Sequence, residues 1–243
     1  MAYDEGTWIM YGLDPSDPDC IQTAEELIDY VEKVGFLPLF RNEIPGFSAE
    51  EHAAADYWWT GDELRDPWEW RKVLARSDRV IYGKFFGGRA GFIAREWFPA
   101  FANVRRDGYD FDALWDDELA SAREKKIMDL FPEETELFSF EVKRAAGFGK
   151  GGEKNFEGTV TRLQMEGYLC ICDFRQRVNK RGEAYGWDIA VYARPERKWG
   201  YAWCCSAYGE APRVSAERIL GKLRSCWGDA DERSLLRVIG GRA

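Results

Sequence analysis

Apolar positions recur with a helical period along much of this chain. Leu27, Ile28, Val31 and Val34 form one stripe, and Thr23 with Glu26 makes a capping box at its start. Gly35 closes this helix, and Phe36 to Phe40 reads as a short buried strand or turn. Ser48 and Glu51 form a second capping box before a short helix. Asp66, Pro67 and Glu69 open another through Trp70, Val73 and Leu74. Residues 79–86 and 89–94 are two β-rich runs on a Gly87-Gly88 turn, which predicts a hairpin.

Helical patterns follow over 96–103, 111–119 and 121–131, the last with the capping box Ser121 to Glu124, and Pro132 marks a break. Residues 136–146 read two ways. Phe138, Phe140 and Val142 alternate like a strand, whereas Phe138, Val142, Ala145 and Ala146 share a helical face that Thr135 can cap. Helix is the favoured reading. After a glycine-rich loop at 147–152, Phe156, Val160 and Leu163 point one way from a helix over 154–166 that Gly167 ends. Residues 168–178 and 184–193 are strands around a turn at 179–182. Residues 201–206 read as one more strand, and 215–227 and 231–239 as closing helices. The first 20 residues read as an irregular lead.

Of the 243 residues, 45% are hydrophobic and 32% charged, a balance that excludes a disulfide scaffold, a disordered tail and a collagen-like repeat. No run approaches the ~20 apolar residues of a membrane span. The acidic N-terminus lacks the layout of a signal peptide, so a cytoplasmic chain with free thiols at its six cysteines is expected. Cys170 and Cys172 share one strand face, but a thiolate metal site would need two more ligands. His52 is the only histidine, which excludes a two-histidine zinc site. No metal and no cofactor is expected.

Charge is unevenly spread. Residues 1–140 carry a net −15 and residues 141–243 a net +6, within a total of −9. A basic segment steers anions locally even in an acidic protein. That segment also has a suggestive order: helix, helix, loop, helix, then a hairpin with a basic tip. This is the order of a winged helix, whose third helix faces the major groove while the hairpin lays cations along phosphates. The outer face of the third helix would be Lys154, Gly158, Thr161, Arg162 and Met165. A mid-helix glycine costs roughly 1 kcal/mol against alanine, so Gly158 implies close approach by another backbone. The wing supplies Arg175, Arg177, Lys180 and Arg181, and its exit adds Arg194, Arg197 and Lys198.

The run ELFSFEVKRAAGFGKGGEKNFEGTVTRLQMEGYL, with the upstream DPWEWR and YGKFFGGRAGFIAREWFPAF, resembles proteins grouped as AlkZ-related. These are relatives of the AlkZ (YcaQ) DNA glycosylases, which are built of winged helices and excise alkylated or crosslinked bases. The likeness covers about residues 22 to 195. It implies a winged-helix, DNA-associated fold. AlkZ enzymes use a Gln-x-Gln or Gln-x-Asp motif. Here Gln22, Gln164 and Gln176 are followed two residues on by Ala24, Glu166 and Val178, so no catalytic residue is carried over.

Other motifs are weaker. Gly147 to Gly152 satisfies G-x-G-x-x-G, with Asp173 downstream, but an antiparallel hairpin follows where a dinucleotide fold needs a parallel unit. Its glycine amides, Lys150, Lys154 and the next helix N-terminus still converge as a candidate phosphate site. Asp107, Asp110, Asp112, Asp116 and Asp117 read as caps and a solvated face. Eleven tryptophans, with Trp58-Trp59 and Trp68-x-Trp70 close together, read first as core, although aromatics also stack on flipped bases. Glu43, His52 and Glu69 lie in that region as candidate water-positioning groups.

The chain is therefore expected to be α+β, mostly helical, with a winged-helix module and short antiparallel hairpins. Its parts would be an acidic, aromatic-rich 1–120, a winged helix at 121–200, and a closing strand and helices at 201–243. The expected partner is duplex DNA, held by Lys150, Lys154, Arg162, Arg175, Arg177, Lys180 and Arg181, with no membrane partner. The alternative is a non-catalytic module that binds protein or a small molecule. A glycosylase with a reorganised site is a third reading.

Overall fold

The computed structural model describes residues 2–4 and 7–240, with side chains from Ile9 onward. Strands β1 (Ala2–Asp4) and β2 (Thr7–Ile9) pair antiparallel, so the expected irregular lead contains a small hairpin. Helix α1 (Ala24–Val34) starts at Thr23, whose side chain accepts from the Glu26 amide, and it buries all four residues of its predicted stripe. Strand β3 (Phe36–Pro38) follows, then the short α2 (Ala49–His52), capped by Ser48, and α3 (Pro67–Arg76), capped by Asp66.

Strands β4 (Val80–Phe86) and β5 (Arg89–Ala94) form the predicted hairpin. Gly91 is required there: a Cβ would sit 2.7 Å from the Leu37 carbonyl oxygen of β3 and closer still to the Phe86 ring. Helices α4 (Phe98–Arg106), α5 (Phe111–Asp116) and α6 (Ala122–Met128) come next. The segment that reads two ways is both things in turn, a two-residue strand β6 (Leu137–Phe138) running into helix α7 (Ser139–Ala145). Phe138 rather than Thr135 occupies the cap position, and its amide donates to Glu141.

Helix α8 (Phe156–Met165) leads into β7 (Cys170–Val178) and β8 (Ala184–Ala193). Helices α9 (Pro195–Trp199), α10 (Tyr201–Cys204), α11 (Pro212–Trp227) and α12 (Glu232–Ile239) complete the described chain. The strand expected at 201–206 is helical instead. Gly200 breaks α9 with φ 78, and the Cys204 amide then closes a turn on the Gly200 carbonyl. Helical spacing buries Cys204 while the polar tips of Tyr201 and Trp203 reach Asp110 and the Arg95 carbonyl.

The class is mixed helix and strand rather than mostly helical. The two large hairpins are not separate: they share one antiparallel six-stranded sheet in the order β3-β5-β4-β7-β8-β6. They meet at a single register pair, Tyr82 with Ile171, both buried. One continuous core lies on this sheet, with Phe36, Phe92, Phe98, Phe101, Val160 and Leu163 all buried within it. Through that core runs a buried ion pair between Arg106 of α4 and Glu196 of α9, 2.6 Å apart. Burial alone would raise the Glu196 carboxyl, but Arg106 and Arg194 hold it below its ordinary value. Arg106 also donates to the Gly167 carbonyl, which ties α4 to the end of α8.

No helix among the described residues is long and apolar enough to cross a membrane. The cysteines are free thiols, with Cys20, Cys170 and Cys204 buried.

Candidate nucleic-acid interface

The β7–β8 hairpin outruns its neighbours. Its base is covered by β4, β6 and α3, and its outer half stands exposed. The base is clamped from both sides. On one side Lys72 of α3 bridges Glu69 and Asp188, Arg76 meets Asp173 at 2.5 Å, and Arg71 lies between the Trp68 and Phe174 rings. On the other, Arg175 lies 5.7 Å from the Phe138 ring centroid and Arg177 lies 4.5 Å from that of Phe140. The two phenylalanines stack at 5.2 Å. This cation–aromatic ladder fixes the direction of the hairpin relative to α7.

The candidate cations differ in how committed they are. Arg162 is held by Glu124 and Glu166, each 3.1 Å from its Nε. Arg175 is held by Glu136 and by Asp173. Lys150, Lys154, Arg177, Lys180 and Arg181 are exposed and make no side-chain ion pair among the described residues. At the tip, Asn179 orders the turn by accepting from the Arg181 and Glu183 amides.

Lys150 shares a shallow groove with Lys143, Arg144, Phe140 and Phe148, and no carboxylate lines it. The glycine loop behind it is largely self-satisfied: the Gly149 amide donates to Glu153, and those of Gly152 and Glu153 to Gly149 and Gly147. Gly152 is required, because a Cβ there would sit 2.2 Å from the Gly147 oxygen. The N-terminus of α8 next to Lys154 lacks a side-chain cap, since its Asn155 adopts φ 64.

The proposed outer face of α8 is partly covered. Thr161 packs beside the Gly87-Gly88 turn and lies 3.5 Å from Lys84 Nζ. Close approach to Gly158 comes from Asn155 of the same helix end, with its side chain 2.5 Å from where a Cβ would be, and not from a second backbone. Sequence reasoning passed over Lys143, Arg144, Tyr185 and Trp187. Trp187 is 91% exposed and follows Tyr185 by two on β8. The alternation of Tyr185, Trp187 and Ile189 was a visible signal, but only the length of the hairpin beyond its neighbours shows that no core covers it.

The remaining candidates have structural partners. His52 Nε2 lies 2.9 Å from the Tyr30 hydroxyl and 2.8 Å from the Gly46 carbonyl oxygen. Glu69 pairs with Lys72, and Glu43 with Arg89 at 3.0 Å. Trp58, Trp59 and Trp68 pack around Phe40, and Trp70 is fully buried. The Cys170 and Cys172 thiols donate to carbonyls of β8, and burial pushes Cys172 up to about 12. Asp107 ends α4 and Asp110 precedes α5, and no group of metal-binding side chains occurs among the described residues. The glutamines are all engaged: Gln22 donates to Pro15, Gln176 to Gly186, and buried Gln164 donates to Val160 while accepting from the Lys84 amide.

A family model described as AlkZ related matches residues 21–240, which extends past the hairpin through α11 and α12. No curated protein and no solved structure matches the chain.

Proposed function

This chain belongs to the AlkZ-related family, and on that premise we propose that it is a DNA-associated protein of repair-related ancestry that grips duplex DNA through residues 139–193. The observation that carries the reading is the arrangement of cations without carboxylate partners. Lys143, Arg144 and Lys150 line one groove, and Arg177, Lys180 and Arg181 extend from the hairpin fixed beside it. The element order supports it: α6, β6, α7, α8, β7 and β8, with β6 against β8 and β8 against β7, is the order of a winged helix.

In this reading Arg177, Lys180 and Arg181 follow the phosphates, and Lys150, Lys154 and the uncapped start of α8 hold a further phosphate. Arg162 and Arg175 contribute least, since each must first leave two carboxylates. We assign no catalytic residue. Gln164 is the only glutamine with a carboxylate two residues on, and its amide already joins α8 to β4.

The test is fluorescence anisotropy of a labelled duplex at two salt concentrations. Affinity should fall steeply with salt, and Arg177→Ala with Lys180→Ala should reduce the salt slope by about one per lost phosphate contact. Binding that is absent even at low salt would overturn the reading and leave a module for protein or small-molecule partners.

A further inference from the structure

A groove beneath α12, on residues the DNA reading uses only at Arg162, is built from two cavities of about 320 Å³ each. They adjoin at Gly87 and Arg237, which line both. One end has an apolar floor of Ile44, Phe47, Phe86 and Val238, with Glu43 at its rim. The other end is lined by Phe85 and Met165 together with Arg105, Arg162, Arg237 and the carboxylate of Glu166.

Arg105 is the unusual group. It is only 4% exposed, and no carboxylate pairs with it among the described residues. Its Nε donates to the Ile239 carbonyl at 3.0 Å, Nη2 to Val238 at 3.1 Å and Nη1 to Met165 at 3.2 Å. These are last-turn carbonyls of α12 and α8, whose partial negative charge steadies a cation. Burial nevertheless brings the guanidinium down to about 9. These bonds use three of the five N–H groups of the guanidinium, which also lies 4.5 Å from the Phe101 ring centroid. The carboxylates nearby are engaged: Glu43 with Arg89, and more loosely with Arg237 at 3.8 Å, and Glu166 with Arg162. Capping two helices explains where Arg105 sits. It does not explain a cavity beside it that Arg162 and Arg237 also line.

We propose that this groove binds a small organic phosphate of nucleotide size, with its phosphoryl group at Arg105 and Arg237 and its ring over Phe47 and Phe86. The combined space reaches the size of ordinary small-molecule sites, which begin at about 300 Å³. Planar arginine forks suit phosphate oxygens, and the apolar floor suits a base.

Calorimetry on the full chain tests this with inorganic phosphate and 2′-deoxyadenosine 5′-monophosphate as probes. The nucleotide should bind at least tenfold more tightly than phosphate. Arg237→Gln should weaken it at least tenfold; its side chain is more than half exposed, so the fold should survive. Arg177→Gln with Lys180→Gln should leave nucleotide binding unchanged. No nucleotide binding at millimolar concentration, equal affinity for phosphate, or indifference to Arg237→Gln would overturn the proposal. Displacement of the nucleotide by a 5′-phosphorylated oligonucleotide, but not by its 5′-hydroxyl counterpart, assigns the phosphate to a strand end. Absence of displacement assigns it to a free nucleotide. Absence of nucleotide binding by the unaltered chain, with duplex affinity present, counts against this groove alone, and the converse counts against the DNA reading alone.

Discussion

The two large hairpins of the sheet have opposite fates. In β4–β5 nearly every residue is buried, and the Gly87-Gly88 tip is held by Thr161 on one side and by the Arg89–Glu43 pair beside it. In β7–β8 only Cys170, Ile171 and residues 191–193 are buried, residues 172–175 and 188–190 are half-buried, and Arg177 to Gly186 and Trp187 project into solvent. Both are antiparallel ribbons in one sheet. What separates them is cover: α8 packs along β4 with Thr161 beside Gly88, and α3 and α7 reach only the base of the second. A ribbon with one end anchored and the other uncovered is suited to contact with a partner. A ribbon covered along its length serves the core.

This contrast makes its largest prediction in stability. Phe92→Ala, in the covered hairpin, should cost about 3–5 kcal/mol in urea unfolding, whereas Trp187→Ala should stay within about 0.5 kcal/mol. A comparable loss at Trp187 would mean that the outer ribbon is packed after all. Second, Lys180→Ala with Arg181→Ala should leave the urea midpoint unchanged while lowering duplex affinity and its salt dependence. A fall in midpoint would make those cations structural. Third, Lys72→Ala should cost about 1 kcal/mol and raise amide exchange in residues 173–190 over that in residues 80–94. Equal exchange in the two segments would show that α3 does not anchor the ribbon.

The smallest effect concerns the covered tip. The Glu43 carboxyl sits below its ordinary value, through a backbone hydrogen bond, against the opposing pull of partial burial, and through Arg89 and Arg237. Its contribution is therefore present above the unfolded-state value near 4.3 and is lost as pH falls through the lowered folded value. Because the side chain is 43% exposed, Glu43→Gln should cost less than about 1 kcal/mol at pH 7. The difference should vanish in acid, and one that persists at low pH would point to packing instead of charge.

Local signals carried much of this fold. Capping boxes at Thr23, Ser48 and Ser121 and the paired glycines at 87–88 each act within a few residues, so they are legible in one dimension. At 136–146 the favoured helix is present over 139–145, whereas the strand pattern of Phe138, Phe140 and Val142 is realised only at Leu137 and Phe138, which pair with β8 before the backbone turns helical. The join of the hairpins at Tyr82 and Ile171 was not legible, since periodicity names faces and not neighbours. For the cations, part of the answer was within reach. Glu166 lies one helical turn beyond Arg162, and Asp173 lies on the same strand as Arg175. Glu124 and Glu136 arrive from elsewhere in the chain, as does the ladder of Phe138 and Phe140 beneath Arg175 and Arg177.

The exposure of Trp187 also gives the protein an optical handle. Trp70 is wholly enclosed and Trp58 nearly so, but the indole of Trp187 stands in water. Its emission should lie at the red edge of the spectrum and be quenched first by acrylamide. A molecule settling on the outer ribbon would shield it, so occupancy could be read from the protein's own light with no label attached.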